Sequence, residues 1–330
     1  MIGMLRRGLA GLLLLLAPAA AAEFDLQGHR GARGLAPENT LAGFATALGI
    51  GVTTLEMDLG ITADDVVVLV HDRRLNPDIV RGPDGRWLDG SGPPIRALTL
   101  DELRRYDVGR LRPGSRYATR FPDQRPADGE RIPTLAEVVA LTRKADNDAV
   151  RFNIETKLSP HEPEITPGPR AFAEAVLATV RSQGIEGRTT VQSFDWRSLR
   201  AVQQMAPAIP TVCLTVERSW LDNLERGRPG PSPWTAGLDL DDFDGDVPAL
   251  VQAAGCAVWS PYFRDLTPDD LAVAQELGLK VVVWTVNELA DMAALIELGV
   301  DGIITDHPDR LRKVMAEQGL PLPAATPVEP

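Results

Sequence analysis

Cysteine and histidine are both scarce in this chain of 330 residues. With only two cysteines, Cys213 and Cys256, the chain has too few for a small scaffold held together by disulfide bonds. The two could pair in an oxidising compartment, but two buried free thiols are the commoner arrangement, and the sequence leaves their pairing open. Only four histidines are present, so few side chains can exchange protons near neutral pH.

Basic residues are fewer than acidic ones. The chain has 34 Lys and Arg residues against 46 Asp and Glu residues, which gives a formal net charge of -12 at pH 7. This balance argues against nucleic acid or an anionic membrane surface as the partner. A phosphate-containing substrate would have to be attracted by a local metal ion or arginine.

An apolar run near the amino terminus is too short for a comfortable membrane span. Two arginines precede the run from Leu9 to Leu16, and a stretch rich in alanine follows it. This order predicts a secretory signal peptide over residues 1–22 with cleavage before Glu23, and an uncleaved anchor is the alternative. No lipobox cysteine is present. We therefore expect an exported protein, periplasmic or secreted, without a stable membrane anchor.

Apolar runs rich in β-formers alternate with amphipathic helices along the remaining chain. The predicted strands cover 24–28, 53–59, 66–70, 150–156, 189–194, 210–216, 257–261, 280–286 and 302–305. The clearest predicted helices cover 39–48, 135–144, 170–182, 196–205, 268–277 and 289–298. This alternation predicts an α/β fold in which a mainly parallel sheet closes into a TIM (β/α)8-type barrel.

One predicted strand is surplus to an eight-stranded barrel. The link between Leu59 and Val66 is about six residues, whereas a parallel crossover needs about a dozen or more. The run 66–70 is therefore predicted to return as the second strand of a hairpin, which would bring His71 near Asp58. A barrel strand that has lost its helix is the alternative.

A long polar segment follows the second and third predicted strands. Residues 73–131 are rich in Pro, Gly, Asp and Arg, which is typical of a functional loop or cap inserted into a compact domain. We predict one barrel domain over 23–320 that contains this insert. The Pro- and Ala-rich end, 321–330, is predicted to be a disordered tail.

Charged side chains interrupt two otherwise apolar strands. Alternation places Glu56 and Asp58 on one face of their strand, and likewise Glu155 and Lys157 on one face of theirs. A charge that faces a barrel interior is costly unless it is paired or bound to a metal. An ion-pair network with Arg30 and Lys157 is one explanation. We favour a site for one divalent cation, Ca²⁺ or Mg²⁺, because these ions prefer oxygen ligands.

Two of the four histidines fall next to these carboxylates. His29 and His71 each follow a predicted strand, and phosphodiester cleavage needs both a base and an acid that titrate near neutral pH. The planar fork of Arg30 suits a phosphoryl oxygen, although a salt bridge to Glu38 is nearly as good an explanation. Asp306, at the end of the last predicted strand, could support the residues of the site or cap the helix that follows it, and we favour the cap.

These residues belong to motifs that resemble, as an ordered set, those of the glycerophosphodiester phosphodiesterase family. The motifs are Gly28-His29-Arg30-Gly31, Pro37-Glu38-Asn39-Thr40, Glu56-Met57-Asp58, His71-Asp72, Ile154-Glu155-Thr156-Lys157 and Trp284-Thr285-Val286-Asn287. The resemblance implies a TIM barrel that uses a divalent cation to hydrolyse small glycerophosphodiesters to sn-glycerol 3-phosphate and an alcohol.

The resemblance also implies roles for individual residues. These roles are metal ligation by Glu56, Asp58 and Glu155, acid-base catalysis by His29 and His71, phosphate binding and site organisation by Arg30 and Lys157, and a glycerol-pocket wall at Trp284. The stretch after Asp72 departs from the family pattern, so the preferred head group stays open. Water and the glycerol 2-hydroxyl both remain candidates for the nucleophile.

Two other functions are compatible with these residues. A lysophospholipase D or sphingomyelinase D type of reaction would need an apolar groove for acyl chains, and the insert is polar. An exported protein that binds phosphodiesters without cleaving them would not need both histidines. The sequence does not indicate an oligomeric state.

Overall fold

The computed structural model describes residues 24–330, so the predicted signal peptide lies outside the described residues. Within this range, no helix combines the length and the hydrophobicity that crossing a membrane requires.

Eight parallel strands close into a barrel in the described part of the chain, as predicted. The first strand pairs on one side with the second and on the other side with the last, which closes the sheet. In chain order the strands are β1 (Asp25–Gly28), β2 (Thr54–Ile61), β3 (Val67–Leu69), β4 (Arg151–Thr156), β5 (Thr189–Ser193), β6 (Thr211–Thr215), β7 (Glu217–Arg218), β8 (Leu221–Asp222), β9 (Val258–Pro261), β10 (Lys280–Val283) and β11 (Gly302–Thr305). β3, β7 and β8 lie outside the parallel barrel.

Helices connect most of the barrel strands. They are α1 (Leu41–Ile50), α2 (Leu100–Leu103), α3 (Leu135–Lys144), α4 (Pro169–Gln183), α5 (Trp196–Met205), α6 (Val247–Ala253), α7 (Pro268–Glu276), α8 (Leu289–Leu298) and α9 (Pro308–Glu317). The sequence pattern did not predict α6, and α9 was predicted only as the helix that Asp306 would cap. Both begin with a proline in the first turn, where a missing N–H costs no hydrogen bond.

The main core lies between the barrel and its helices. Its largest fully buried side chains include Phe44, Phe152, Phe172 and Trp196, each of which lies on a helix or strand of the α/β layers. Burial of such aromatic and aliphatic surface is the dominant favourable term in folding. The packed layers leave the carboxyl ends of the strands as the place where polar side chains can gather.

The hairpin predicted for residues 66–70 is present. β3 runs antiparallel to β2, with Leu69 opposite Leu59 and Val67 opposite Ile61. Just beyond β3, the backbone N–H of Val70 donates to the carbonyl of Asp58 at 2.9 Å. The next residue, His71, is thereby held at the carboxyl end of β2.

The insert after β3 contains little regular structure. Beside α2 it holds two short 3-10 helices, Ile95–Ala97 and Ala118–Arg120. It has a small apolar cluster of its own, separate from the main core, formed by Val68, Val70, Leu75, Val80, Ile95, Leu103, Val108 and Ile132. The insert is therefore a packed layer over the hairpin.

Cys213 and Cys256 form a disulfide bond between β6 and the start of the β9 region. The expectation that free thiols are the commoner arrangement is therefore wrong for this pair. The two cysteines are 43 residues apart in the chain, so spacing gave no sign that β6 and β9 are neighbours in the sheet. Disulfides persist in oxidising compartments, in agreement with export, which stays a prediction.

The carboxyl-terminal segment lies against the barrel. Residues 321–330 form no helix or strand, but the N–H of Thr326 donates to the carbonyl of Leu48 at 2.8 Å, and Val328 packs on the main core. Arg312 also donates to the carbonyl of Pro323 at 2.6 Å. This placement differs from the disordered tail that the composition predicted, because composition cannot reveal hydrogen bonds to α1 and α9.

Candidate active site

A large cavity opens at the carboxyl ends of the barrel strands. Its volume is about 1320 Å³, and seven of the eight predicted site residues line it. These seven are His29, Arg30, Glu56, His71, Glu155, Lys157 and Trp284. The eighth, Asp58, is fully buried next to them. The fold therefore brings all the predicted site residues to one end of the barrel.

Three carboxylates converge at the base of the cavity. One oxygen from each of Glu56, Asp58 and Glu155 lies within 4.8 Å of the others. Glu56 accepts from Gln192 Nε2 at 2.7 Å and from the backbone N–H of Arg30 at 2.8 Å. The arrangement follows from strand alternation together with the parallel register, which places Asp58 beside Glu155 on neighbouring strands.

Asp58 has one carboxylate oxygen that accepts no hydrogen bond. Its Oδ2 accepts from Asn39 Nδ2 at 2.9 Å, whereas its buried Oδ1 has no hydrogen-bond donor. The Lys157 ammonium is 3.6 Å from that oxygen and bonds instead to Glu155 Oε1 at 2.7 Å. An oxygen-rich cluster in which one buried carboxylate oxygen accepts no hydrogen bond fits a divalent cation such as Ca²⁺ or Mg²⁺.

The pKa values of the carboxylates in the cluster also indicate a cation site. Burial, followed by the charges of Asp58 and Glu155, raises the pKa of Glu56 well above its usual range. Burial also raises the pKa of Glu155 to about 7, although Lys157 opposes the shift. Although burial opposes the shift, the charge of Arg30 lowers the pKa of Asp58 well below its usual range, so Asp58 is the ionised member of the cluster. Glu56 and Glu155 resist ionising beside it, and a bound cation would allow all three to be charged.

His29 is held by a carboxylate from the opposite end of the chain. Its Nδ1 lies 2.7 Å from Asp306 Oδ1, so Nδ1 carries the proton, and Nε2 lies 3.9 Å from Glu56 Oε2. Burial, followed by the charge of Arg33, lowers the pKa of His29 to about 4 while Asp306 opposes the shift. The imidazole is therefore neutral near pH 7 and has a free lone pair on Nε2.

The prediction that Asp306 caps α9 is wrong. His307 occupies the N-cap position without a side-chain hydrogen bond, and Asp306 turns toward the barrel end instead. There it accepts from Arg33 Nε at 2.8 Å and from Asn287 Nδ2 at 2.8 Å, in addition to its contact with His29. The Asp306 carboxylate therefore supports the site. Its partners come from strand ends distant in sequence, so they could not be predicted from its neighbours in the chain.

His71 has a similar local arrangement. Its Nδ1 lies 2.9 Å from Asp72 Oδ1, and Asn76 Nδ2 donates to the other oxygen of that carboxylate at 2.7 Å. Burial, followed by the charges of Arg30 and Lys157, lowers the pKa of His71. Each of the two imidazoles thus pairs through Nδ1 with an aspartate, which leaves Nε2 available for proton transfer.

Arg30 forms the salt bridge to Glu38, one of the two roles considered from the sequence. Its backbone adopts a left-handed conformation (φ 51°), and its Nη1 donates to Glu38 at 2.8 Å. Its Nε lies 3.0 Å from Asp58 Oδ2, an ion-pair contact without hydrogen-bond geometry. The salt bridge to Glu38 is therefore real, and it fixes the guanidinium at the edge of the carboxylate cluster.

Tyr117 and Arg33 belong to the site although the sequence gave no reason to select them. Arg33 Nη1 donates to the Tyr117 hydroxyl at 3.2 Å, and that hydroxyl donates to Glu38. One phenol thereby joins the Arg30–Glu38 pair to the Arg33–Asp306 pair. Tyr117 lies in the irregular insert, where no periodicity indicates which side chain points inward.

We expect Tyr117→Phe to lower kcat/KM about tenfold. Loss of the hydroxyl leaves Arg33 and Glu38 each without one hydrogen-bond partner, and an unsatisfied buried group costs about 1–3 kcal/mol. Tyr106→Phe removes a hydroxyl from the same insert outside the cavity and should leave kcat/KM within about twofold. Steady-state kinetics on both variants tests this expectation. Equal activities would show that the phenol does not support the site.

Aromatic rings form another wall of the cavity. Trp284 contacts Phe194 edge to face, with ring centroids 5.2 Å apart, and Tyr262 at 5.5 Å. Trp220, which is 60% exposed, lies at 6.2 Å from Trp284. A wall of this kind can pack against the carbon face of a small polyol and close part of the cavity to water.

Comparison with known proteins agrees with this arrangement. The model of the Glycerophosphoryl diester phosphodiesterase family matches residues 29–310. The chain is 28% identical over 291 residues to a glycerophosphodiester phosphodiesterase of Caldanaerobacter subterraneus subsp. tengcongensis, an alignment that covers 88% of this chain and 97% of that protein. A glycerophosphodiester phosphodiesterase of Bacillus subtilis is 28% identical over 294 residues, with coverage of 87% and 84%.

Solved structures share the fold. A protein of Silicibacter pomeroyi, assigned to the glycerophosphoryl diester phosphodiesterases, superposes with a TM-score of 0.80 at 36% identity and covers 91% of this chain and 96% of its own. A phosphodiesterase of Oleispira antarctica, solved with the product sn-glycerol-3-phosphate, gives a TM-score of 0.62 at 20% identity, with coverage of 88% and 96%. The second likeness concerns the fold alone.

Proposed function

Because the chain belongs to the glycerophosphodiester phosphodiesterase family, we propose that it hydrolyses glycerophosphodiesters to sn-glycerol 3-phosphate and an alcohol by histidine acid-base catalysis, with one divalent cation. The observation that carries this proposal is the convergence of three buried carboxylates between two aspartate-paired histidines. A protein that only bound phosphodiesters would gain nothing from the two proton-transfer groups.

Glu56, Asp58 and Glu155 would hold the cation. When bound, it would supply Lewis-acid stabilisation to a phosphoryl oxygen. Its identity is open between Ca²⁺ and Mg²⁺, since both take oxygen ligands and the cluster offers only carboxylates.

Arg30 and Lys157 would bind the phosphate from the protein side. Both side chains line the cavity, and both are fixed by ion pairs, Arg30 with Glu38 and Lys157 with Glu155. Donors that are held in position before the reaction can stabilise charge as it develops on the phosphoryl oxygens. Trp284 would pack against the glycerol moiety as part of the aromatic wall.

His29 and His71 would move the protons. One imidazole, neutral and with its lone pair on Nε2, takes the proton from the attacking oxygen as the new P–O bond forms. The other reacts as the imidazolium and donates its Nε2 proton to the departing alcohol oxygen as that P–O bond breaks. Asp306 and Asp72 accept from Nδ1 of the two rings, which orients each ring and leaves Nε2 for the transferred proton. The same pair of histidines serves attack by water or by the glycerol 2-hydroxyl, which would form a cyclic phosphate first.

The test is release of sn-glycerol 3-phosphate from glycerophosphocholine by the purified protein, with Ca²⁺, with Mg²⁺ and after chelation. We expect release that stops on chelation and returns with one or both ions, and phosphorus NMR of the products would reveal any cyclic intermediate. Release that persists after complete metal removal would contradict the cation's role. Cleavage of lysophospholipids alone would point to the lipid-directed activity instead.

A further inference from the structure

The rim of the active-site cavity carries arginines that have no carboxylate partner. Arg74, Arg116 and Arg120 line the cavity, and none of them forms an ion pair with a described Asp or Glu residue. Their neighbour Arg73, by contrast, pairs with Glu162, and Arg110 in the same insert pairs with Asp128. In a chain with an excess of 12 negative charges, unpaired guanidinium groups beside a substrate cavity require an explanation.

We define the arginine rim as Arg74, Arg116 and Arg120. Contacts to the catalytic centre set its position. Arg116 and Arg120 flank Tyr117, the residue whose hydroxyl is bonded to Arg33 and Glu38. The Arg120 guanidinium carbon lies 5.8 Å from the centre of the Tyr117 ring. The rim is therefore attached to the network that holds the two catalytic ion pairs.

Arg74 approaches the cavity from a second segment. It follows His71 and Asp72 closely in the chain, and its backbone forms an antiparallel bridge with Pro94. The two parts of the rim thus come from opposite ends of the insert and meet around one opening. His71 lies on the same segment as Arg74, so an alcohol protonated by that imidazole would leave toward the rim.

The charges around the cavity leave the rim positive. The cavity lining contains seven basic and five acidic side chains. Every one of the five acids already has a use: two belong to the proposed cation cluster, two pair with the catalytic histidines, and Glu162 pairs with Arg73. No rim arginine forms an ion pair with these acids, although Arg74 adds to the effect of Arg73 in lowering the pKa of Glu162. A guanidinium is well suited to bind phosphate through its planar fork.

We propose that the arginine rim is a second anion-binding subsite, which binds a phosphate group carried by the departing alcohol. The inference rests on the proposed function, since it names the substrate class that the same site prefers. Glycerophosphodiesters whose head group bears an additional phosphate are the favoured substrates. The uncharged and cationic head groups lack the group that the rim binds.

A matched pair of substrates tests the proposal. Glycerophosphoinositol and glycerophosphoinositol 4-phosphate have the same ring and the same scissile bond, and only the second carries an extra phosphate. We expect kcat/KM to be about tenfold or more higher for the phosphorylated substrate, and the preference to decrease as ionic strength rises. Glycerophosphocholine serves as the cationic reference.

The triple variant Arg74→Gln, Arg116→Gln, Arg120→Gln should reduce this preference to about one, while kcat/KM on glycerophosphoinositol stays within about threefold of the wild type. The control is Arg105→Gln, Arg125→Gln, Arg200→Gln, which makes the same change in net charge at exposed positions outside the cavity. The control should keep the preference of the wild type, because the effect belongs to the rim and not to total charge.

Three outcomes would overturn the proposal: equal kcat/KM for the two inositol substrates in the wild type, a higher value for glycerophosphocholine, or an unchanged preference in the triple variant. Failure of the proposed function has a different signature. In that case the wild type would release no sn-glycerol 3-phosphate from any of the three substrates, whatever the cation supplied.

Discussion

Replacing either His29 or His71 by alanine is expected to lower kcat by about 10² to 10⁴-fold. Each imidazole presents Nε2 at the cavity while an aspartate holds its Nδ1, so each substitution removes a proton-transfer group that no neighbour can replace. Affinity for the divalent cation should be retained, because the carboxylate cluster contains neither histidine. Steady-state turnover of glycerophosphocholine, together with calorimetric titration of the cation, measures both quantities.

His161→Ala provides the matched control for these two variants. Its ring packs edge to face against Trp234, with centroids 5.5 Å apart, and it contacts neither the carboxylate cluster nor an aspartate. We expect its turnover to stay within about threefold of the wild type. Turnover near the wild-type value in His29→Ala or His71→Ala would remove that histidine from the mechanism.

The second large effect is expected for Asp58→Asn. The substitution preserves the shape of the side chain but removes the charge from the carboxylate whose Oδ1 has no donor. Because that oxygen is the one best placed to bind a cation, we expect cation affinity to fall sharply and kcat to fall by roughly 10³-fold, equivalent to several kcal/mol of lost Lewis-acid stabilisation.

Asp269→Asn on α7 makes the same chemical change far from the cluster and should leave cation affinity unchanged. Calorimetric titration with Ca²⁺ and Mg²⁺ and kinetics at saturating cation separate weakened binding from a lost catalytic contribution. If the Asp58→Asn variant bound the cation with wild-type affinity, Asp58 would be a partner of Arg30 and not a metal ligand.

The positions of the side chains on the barrel strands were predictable from the sequence. The side chains of Glu56, Asp58 and Glu155 alternate in register with their strands, so a period of two was enough to place them on one face. The short link after Leu59 likewise argued against a parallel crossover and favoured the hairpin that places His71, which the structure contains. Strand alternation and loop length determine these features, and both depend on residues that are neighbours in the sequence.

The supporting contacts were not predictable in the same way. Asp306 was assigned to a helix cap because a cap needs only neighbours in the chain, whereas its actual partners, His29 and Arg33, lie more than 270 residues away. Tyr117 lies in a segment without periodicity, and its two partners come from the loop after β1. Contacts of this kind depend on closure of the barrel, which only the assembled structure reveals.

Closure has a further consequence for the biosynthesis of the protein. β1, which carries His29 at its end, is flanked by β2 and by β11, the last strand to be translated. A nascent chain that has reached only β10 has unpaired edges at β1 and β10, and its first histidine has no aspartate partner. Ribosomes must therefore synthesise almost the whole polypeptide before the His29–Asp306 pair can form. We expect premature termination ahead of residue 306 to give an inactive product, even when every residue of the carboxylate cluster has been incorporated.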